Sequence, residues 1–316
     1  IMSRDPAQRS LTVLQTPDAS LRNRVFVVTE PVCVGRVEEG SVNLVVDDRL
    51  LSRCHATISR LSDSGLHELV DHDSRNGSFV EGLRVKRRHL DAGTIVRLGV
   101  TLFEITKDDK AYDLIDLSPS GDDSGALIGR SKALHDVSAA IARAAASPDE
   151  TICLVGESGT GKEVAAKRVH ELAKHSGRFV AISSGSTVID EALLGRAIGG
   201  TLYLDEIERM DRDGQEAVVE LLDKNLEIRF IAATTANLEA LVSDGHFSGA
   251  LYARIAERQV EMPSLRQRRS DIPILTQHYL KVAAPERHFD WSATFLEKLL
   301  LYDWPLNNKE LRAVMQ

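Results

Sequence analysis

Several features are scarce in this sequence of 316 residues, and each absence excludes a class of protein. No apolar run approaches the ~20 residues that a membrane-spanning helix needs, so we expect no membrane partner. Residues 1–20 are polar and lack the apolar segment of a signal peptide, which favours a cytoplasmic protein. The formal net charge of −8 leaves no overall positive surface for a polyanion. No internal repeat is present.

Cysteine is also rare, with Cys33, Cys54 and Cys153 as the three examples. The number is odd, the spacing suits no metal site, and each cysteine lies in an apolar run. We therefore predict three small buried residues in a reducing compartment, with a disulfide or a ligand cluster as the less favoured alternative.

The chain divides into segments of different pattern. After an N-terminal extension, 1–21, residues 22–106 hold short apolar runs rich in β-branched residues. Turn residues punctuate these runs at the spacing of about 8–12 residues that is typical of an antiparallel sandwich. Residues 107–126 are rich in aspartate with two lysines, which predicts a solvated acidic linker.

From residue 127 onward, helical periodicity alternates with buried strand patterns. Strands separated by helices predict a parallel sheet covered on both faces, which we assign to residues 127–268. The pattern is helical alone over 269–316, which predicts a small α-helical lid that the chain end could leave incomplete. The fold class is therefore multidomain: an all-β sandwich followed by an α/β domain with a helical lid.

Four short elements of the sandwich carry residues suited to binding phosphate: Gly35-Arg36, Ser52 to His55, Asp71 with Ser74 to Gly77, and Leu98-Gly99. Each element alone has an ordinary explanation, such as a rim charge, a buried histidine or a tight turn. In this order and spacing they resemble the forkhead-associated (FHA) domain over nearly all of residues 22–106.

The FHA resemblance implies a phosphothreonine protein as partner. The residues it assigns to the phosphopeptide are Arg36, Ser52, Arg53, Arg75 and Asn76. A guanidinium, a hydroxyl and a second cation are the charge-assisted donors that a phosphate needs, and the Asn76 amide suits a peptide backbone. In the family the histidine at position 55 is structural and braces the loop that presents Ser52. An alternative is that the fold serves protein contacts without phosphate.

The segment between a predicted strand, 151–155, and a predicted helix, 163–175, fits the P-loop pattern G-x-x-x-x-G-K. Its glycines let backbone amides wrap phosphates, and Lys162 reaches the β- and γ-phosphates of ATP. The predicted ATP-binding residues are Gly156, Glu157, Ser158, Gly159, Thr160, Gly161, Lys162 and Glu163. Glu163 stands where a serine or threonine usually supplies a Mg²⁺ ligand, so that ligand is absent.

A second apolar strand, 201–205, ends in the carboxylates of Asp205 and Glu206. Asp205 is expected to hold Mg²⁺ through water, and Glu206 to polarise the attacking water. The alternative is two exposed acids at the end of a strand.

Four segments of residues 127–316 resemble the sigma-54-interacting AAA+ domain of bacterial enhancer-binding transcription activators. These segments are GESGTGKE, GGTLYLDEI, PSLRQRRSDI and YDWP, and the resemblance covers about residues 127–316. The resemblance implies ATP and Mg²⁺ as cofactors, and a homo-oligomeric ring that remodels sigma-54 RNA polymerase. It places Ile128-Gly129 near the adenine and Thr234 in the sensor I strand. It also implies Arg254 as a catalytic arginine that reaches a neighbour, and Lys309 at the sensor II position.

The sequence departs from this family at several positions. Only Arg196 to Ile198 separate Leu194-Gly195 from Gly199-Gly200, so the GAFTGA loop that touches sigma-54 is missing and direct contact is doubtful. Three substitutions affect hydrolysis: Ser183 for the asparagine that restrains the catalytic glutamate, Ser248 for one paired arginine, and Lys309 for the sensor II arginine. The family's helix-turn-helix is not found, so DNA contact would need a domain absent from this chain.

These observations leave two main hypotheses. In the first, the chain is a phosphopeptide-responsive AAA+ ATPase that regulates transcription. In the second, it is a non-catalytic scaffold that binds ATP and is recruited by phosphothreonine proteins.

Overall fold

The computed structural model describes residues 8–61, 66–118, 125–147, 150–173, 176–185, 189–224 and 226–316. Residues 1–7 of the predicted N-terminal extension therefore lie outside the described residues, whereas Ser10–Gln15 of that segment forms a strand of the sandwich. The chain forms two compact units. The first unit runs to Asp113 and includes 130–132 and 269–303; the second comprises 114–129, 133–268 and 304–316.

The first unit is built on eleven strands in its described residues, which form two sheets. The strands are β1 (Ser10–Gln15), β2 (Val25–Val27), β3 (Val32–Gly35), β4 (Leu44–Val45), β5 (Ala56–Arg60), β6 (His67–Asp71), β7 (Ser78–Val80), β8 (Leu83–Val85), β9 (Arg87–Leu90), β10 (Ile95–Leu98) and β11 (Thr101–Thr106). One sheet has the order β2-β1-β11-β10-β7-β8 and the other has the order β4-β3-β5-β6-β9.

Alternation of side chains along the strands explains this sandwich. Leu11 and Val13 of β1, together with Val34 and Ile58 of the opposite sheet, lie in one shared apolar core. The predicted all-β domain is confirmed.

The second unit is an α/β domain. Its strands are β12 (Ile115–Asp116), β13 (Ile128–Gly129), β14 (Ile152–Val155), β15 (Phe179–Ser183), β16 (Thr201–Asp205), β17 (Arg229–Thr234) and β18 (Gln259–Glu261). Its first six helices are α1 (Lys132–Ala145), α2 (Lys162–Leu172), α3 (Glu191–Ala197), α4 (Arg212–Asp223), α5 (Leu238–Ser243) and α6 (Gly249–Ile255). The main sheet is parallel, with the order β15-β16-β17-β14-β18.

Both faces of this parallel sheet are buried. Leu204 and Ala232 lie in one apolar cluster, whereas Tyr203 and Ile231 lie in another, because successive strand residues point to opposite faces. The predicted doubly covered sheet is confirmed. Helix α2 ends at Leu172, and position 175, where we predicted its end, is outside the described residues.

Two predictions need adjustment. Part of the segment predicted as a solvated linker is ordered, because Ile115–Asp116 pairs with Ile128–Gly129 and Leu117 is buried in the core of the second unit. The three cysteines are not all buried, since Cys54 is half-exposed.

The C-terminal region is helical, as predicted, and contains α7 (Ile272–Ala283), α8 (Ala293–Leu301) and α9 (Asn307–Met315). Helices α7 and α8 belong to the first unit and α9 to the second, so the predicted lid segment is divided between the units. Within the described ranges, no helix is both long and apolar enough to cross a membrane.

A buried ion pair joins α8 to β10 inside the first unit. Arg97 Nε donates to Glu297 Oε2 over 2.8 Å, and the two side chains are only 14% and 5% exposed. The Arg97 guanidinium also lies 3.8 Å from the centre of the Phe79 ring. This ion pair therefore attaches α8 to β10, two elements that are distant along the chain.

We predict that Arg97→Met lowers the free energy of unfolding of the first unit by about 3–5 kcal/mol, because Glu297 would be left buried without its partner. The double variant Arg97→Met, Glu297→Leu should recover most of that loss. Hydrogen exchange of peptides from β10 and α8 in increasing urea measures both effects.

Arg88 is exposed on β9, so Arg88→Met is the matched control, with an expected change within about 0.5 kcal/mol. A double variant as unstable as the sum of its single changes would contradict the prediction.

Candidate phosphate-binding sites

The first candidate site lies at the loops that follow β3, precede β5 and follow β6. Gly35 allows close approach of two of these loops, because a Cβ atom there would collide with the carbonyl oxygen of Arg53. The Arg36 N–H donates to the Ser52 carbonyl over 3.1 Å, and the Arg36 side chain is exposed. The backbone thus places Arg36 beside Ser52.

His55 holds this site from behind. Its Nδ1 accepts a hydrogen bond from the Ser52 N–H at 3.1 Å, and its Nε2 lies 3.3 Å from the Gly77 carbonyl, to which it donates. The ring is fully buried, and burial lowers the pKa of His55, so the neutral ring fits both bonds. The predicted bracing role of His55 matches this geometry.

The Ser52 hydroxyl also contacts the loop after β6, because its Oγ accepts from the Arg75 N–H at 3.1 Å. The neighbouring Asn76 donates from Nδ2 to the Leu50 carbonyl at 2.6 Å. Arg53 is exposed and lies 3.7 Å from the Glu39 carboxylate. Backbone hydrogen bonds therefore place Arg36 and Arg75 next to Ser52. Asn76 is bonded to the preceding loop at Leu50, and Arg53 lies near Glu39.

Sequence reasoning missed part of the support for the loop after β6. Asp71 accepts hydrogen bonds from the hydroxyls of Ser74 and Ser78, and Lys86 Nζ lies 3.1 Å from its Oδ1. Burial alone would raise the pKa of Asp71, but the bonds from Ser74, Ser78 and Lys86 outweigh burial and hold that pKa at about 2. Only strand pairing reveals Ser78 and Lys86 as partners, because neither stands in the recognised motif.

The second candidate site is the loop between β14 and α2. Gly161 has the positive φ of 99° that a turn into the helix needs here. Lys162 Nζ donates to the carbonyls of Gly156 and Glu157 at 2.7 and 3.0 Å, and the Thr160 hydroxyl donates to Glu157 O at 2.8 Å. Burial lowers the pKa of Lys162, although the nearby charge of Asp205 opposes this effect. The lysine is thus folded back onto its own loop.

Residues at the start of α9 close over this loop within the second unit. Asn307 Nδ2 donates to the Ser158 carbonyl at 2.8 Å, and the Asn308 N–H donates to Gly159 O at 3.1 Å. Gly159 has a positive φ of 76°, and a Cβ there would meet the carbonyl of Leu306. Lys309 is exposed on the same turn as these contacts.

Glu157 is fixed by two residues that sequence reasoning did not select. The Arg266 guanidinium forms a two-point ion pair with the Glu157 carboxylate, and Asn307 Nδ2 lies 3.2 Å from Glu157 Oε2. The hydrogen bond from Arg266 is the main reason why the pKa of Glu157 is lowered. Asn307 lies just after the YDWP segment, but its contact with the loop could not be read from that pattern.

The carboxylates of Asp205 and Glu206 lie at the carboxyl end of β16, beside β15. Asp205 Oδ1 accepts from the Tyr203 hydroxyl at 3.1 Å, and Ser183 is its register partner on β15. Glu206 has a φ of +52° and lies 3.1 Å from Arg209 NH1. The backbone of Glu206 is therefore strained, and its carboxylate pairs with an arginine of its own loop.

A third carboxylate near this edge was not predicted. Glu208 Oε1 accepts from the N–H and hydroxyl of Thr235 at 3.1 and 2.7 Å. Burial would raise the pKa of Glu208, but hydrogen bonds from Thr234 and Thr235 lower it overall. Thr234, the predicted sensor I residue, therefore ends β17 next to a fixed charge.

The predicted arginine for a neighbouring subunit is engaged within its own unit. Arg254 NH2 lies 2.8 and 2.9 Å from the two carboxylate oxygens of Asp223. Ser248, which replaces the family's other arginine, caps α6 by accepting from the Leu251 N–H at 3.3 Å.

A glycine-rich loop between a parallel strand and a helix, with acidic residues at the end of another strand of the same sheet, defines the class of P-loop nucleotide-binding folds. Comparison with known families agrees in both units. Residues 128–265 match the sigma-54 interaction domain, residues 32–99 match the FHA domain, and residues 266–316 match the AAA+ ATPase lid domain. The chain therefore joins an FHA domain to a sigma-54 interaction domain with an AAA+ lid, and the resemblance seen in the sequence is confirmed.

The curated relatives are transcriptional regulators. The chain is 36% identical over 225 residues to the C4-dicarboxylate transport transcriptional regulatory protein DctD of Pseudomonas aeruginosa, which covers 60% of this chain and 48% of the relative. It is 31% identical over 228 residues to the DNA-binding transcriptional regulator NtrC of Azospirillum brasilense, covering 60% and 47%. The chain thus spans about half the length of these relatives.

Among solved structures, NtrX of Brucella abortus in complex with ATP aligns with a TM-score of 0.54 at 28% identity. The alignment covers 58% of this chain and 50% of NtrX.

We predict that Ser78→Ala makes the sandwich more sensitive to acid. Asp71 has a folded pKa of about 2, below the ordinary value, so its stabilisation is present above about pH 4 and is lost as the pH falls toward 2. Without the Ser78 bond the folded pKa rises, and the loss starts at higher pH. Unfolding at neutral pH should also become easier by about 1.5–3 kcal/mol, the value of a hydrogen bond to a charge.

Acid titration followed by circular dichroism measures this shift, with Ser59→Ala on β5 as the control. Equal acid midpoints in the Ser78→Ala and Ser59→Ala variants would contradict the role given to Asp71.

Proposed function

We propose that this chain is a phosphopeptide-responsive, ATP-binding AAA+ regulator of transcription, related to sigma-54-dependent activators but without direct contact to sigma-54. The observation that carries the proposal is the arrangement of the P-loop, where buried Lys162 lies within electrostatic reach of Asp205 and Glu206. The FHA domain in the same chain supplies the second phosphate site.

The P-loop chemistry supports the proposal that the chain binds ATP. The phosphates would replace the carbonyls of Gly156 and Glu157 as partners of Lys162, since charge-assisted bonds to phosphate are stronger than bonds to neutral carbonyls. The loop N–H groups and Lys309 would contact the nucleotide. The crystal structure of NtrX with ATP supports this ligand for the related fold.

Mg²⁺ fits the acidic edge of the sheet. Asp205 is the residue that would hold Mg²⁺, through water, and the bound ion would neutralise charge that develops on the transferred phosphate. Glu206 would orient the attacking water, and for this role it must exchange Arg209 for water. The Arg209 side chain is exposed and Glu206 is partly exposed, so breaking this pair costs about 1 kcal/mol or less.

Assembly into a homo-oligomeric ring is proposed because the Arg254 side chain is partly exposed on α6, where a neighbour's nucleotide could meet it. Asp223 holds Arg254 in the isolated chain, and ring formation would replace this exposed pair by a pair with phosphate.

The proposed absence of direct sigma-54 contact is supported by the connection between α3 and β16. Helix α3 ends at Ala197 and β16 begins at Thr201, so three residues join them. A linker this short cannot extend as a separate surface loop.

The FHA site is proposed to bind a phosphothreonine protein. Arg36 and Ser52 would bond the phosphate, with Arg53 and Arg75 adding charge. Asn76 would exchange the Leu50 carbonyl for the peptide backbone. The supporting observation is that His55 and the backbone already hold Arg36 and Ser52 together.

A second candidate function is a scaffold that binds ATP without turning it over. Ser248 serves as a helix cap instead of offering a guanidinium, and the short Ser183 stands beside Asp205 where an amide would restrain Glu206. An arginine finger is worth about 10³–10⁵ in rate, so its loss favours this reading.

For the FHA site we predict that Arg36→Ala and Ser52→Ala each weaken binding of phosphothreonine peptides at least about tenfold, because each removes a bond to a doubly charged group. Fluorescence anisotropy with a peptide library fixed at phosphothreonine measures the affinity. Arg88→Ala is the control for a lost surface charge. Unchanged affinity in both variants would favour protein contacts without phosphate recognition.

For the P-loop we predict that Lys162→Ala abolishes ATP binding, whereas Glu206→Gln retains binding and loses turnover. Binding is measured by nucleotide titration, and turnover by phosphate release, with sizing of the protein in ATP. Arg254→Ala should leave ATP binding intact and reduce turnover in the assembled state. If the unmodified chain binds ATP but hydrolyses no faster than Glu206→Gln, the scaffold function replaces the ATPase.

A further inference from the structure

Two of the three thiols meet on the outer face of the sheet that contains β3, β5 and β6. Val34 and Ile58 point into the sandwich core, so Cys33 and its register partner Thr57 point to the opposite face. Cys54 approaches from the loop before β5, and its Sγ lies 3.2 Å from Cys33 Sγ. Strand pairing thus brings together two cysteines that are 21 positions apart.

His72 completes this group. It follows β6, and one nitrogen of its ring lies within 4.8 Å of both sulfur atoms. Among the cysteine, histidine and acidic side chains that the structure describes, Cys33, Cys54 and His72 are the three whose potential ligand atoms all lie within 4.8 Å of one another.

The distances suit a metal ion better than a disulfide. The two thiols are free, at a separation well beyond the ~2.05 Å of a sulfur–sulfur bond. A tetrahedral zinc site with bonds of about 2.3 Å to sulfur separates its two thiolates by about 3.8 Å. The observed 3.2 Å therefore requires the thiols to move apart only slightly once they are deprotonated.

The neighbouring polar groups resemble an outer coordination shell. The Thr57 hydroxyl lies 2.7 Å from His72 Nε2, and the Ser41 hydroxyl donates to Cys33 Sγ over 3.7 Å. Such partners orient a ligating ring and stabilise a thiolate. Cys33 is buried, Cys54 is half-exposed and His72 is exposed, so an ion can enter from solvent and keep one position open.

We propose that Cys33, Cys54 and His72 bind one Zn²⁺ ion, with water as the fourth ligand. Two thiolates and an imidazole in tetrahedral geometry are a donor set typical of zinc. Binding displaces the proton of each thiol to solvent. Because each thiol must lose its proton to bind the ion, zinc affinity should increase with pH. The ion would tie Cys54 to β3, directly beside Ser52 and Arg53.

The test uses the reduced, metal-free full chain, titrated with Zn²⁺ against a chromophoric chelator. We expect one equivalent of zinc to bind. Cobalt in place of zinc should give sulfur-to-metal charge-transfer absorption and the strong visible bands of a tetrahedral site. Neither readout depends on phosphopeptide or ATP binding, so the result is independent of the proposed function.

The variants separate ligands from their surroundings. Cys33→Ala, Cys54→Ser and His72→Asn should each weaken zinc binding by more than the about 10- to 100-fold that loss of an outer-shell partner costs. Thr57→Val should fall within that 10- to 100-fold range. Cys153→Ser is the control, because Cys153 is buried in the sheet of the second unit. Circular dichroism of each metal-free variant reports whether it folds.

Any of three results would overturn the proposal. The first is equal zinc affinity in Cys54→Ser, His72→Asn and the unmodified chain. The second is a cobalt complex of the unmodified chain without charge-transfer absorption. The third is a Cys33–Cys54 disulfide, found by mass spectrometry, after the zinc-loaded chain is exposed to oxygen as the oxidant, because bound zinc should protect both thiols. The cobalt spectrum decides the matter even if Cys33→Ala does not fold.

Discussion

Both candidate phosphate sites depend on loops that are held from behind by buried hydrogen bonds. A loop that offers donors to an anion cannot pack its own donors into a core, so other groups must fix it. In the FHA domain the His55 ring fixes the loop, because it is hydrogen-bonded to both Ser52 and Gly77. In the second unit Asn307 fixes the P-loop by donating a hydrogen bond to the Ser158 carbonyl.

The sequence predicted the parts of these sites that are local, and missed the parts that arise from distant pairing. The P-loop, Asp205 and Glu206 are recognisable because a strand, a loop and a helix follow one another in the chain. The partners of Asp71 come from β7 and from Lys86, and the contact of Asn307 with Ser158 spans 149 positions. No periodicity or motif encodes such contacts, because they depend on how the elements pack.

The contact between Cys33 and Cys54 could not be predicted either, because it also depends on the pairing of distant segments. Spacing along the chain gave no sign that Cys33 and Cys54 meet, since a metal motif is usually read from short intervals. The register of β3 with β5 brings them together, and a one-residue slip would send Cys33 into the sandwich core. The assignment of α7 and α8 to the first unit was equally invisible, because the helical pattern shows an apolar face without showing what covers it.

The contacts that close the P-loop do not compete with a nucleotide. Asn307 and Asn308 bind the carbonyls of Ser158 and Gly159, whereas phosphates are bound by the N–H groups of such a loop. The Glu157–Arg266 pair likewise engages a side chain at the edge of the loop. These contacts order the loop in the absence of a nucleotide, which would lower the entropy cost of ordering it when ATP binds. Under the proposed function, the substitutions at Ser183 and Ser248 would affect hydrolysis, whereas ATP affinity would depend on this loop and on the release of Lys162 from the carbonyls of Gly156 and Glu157.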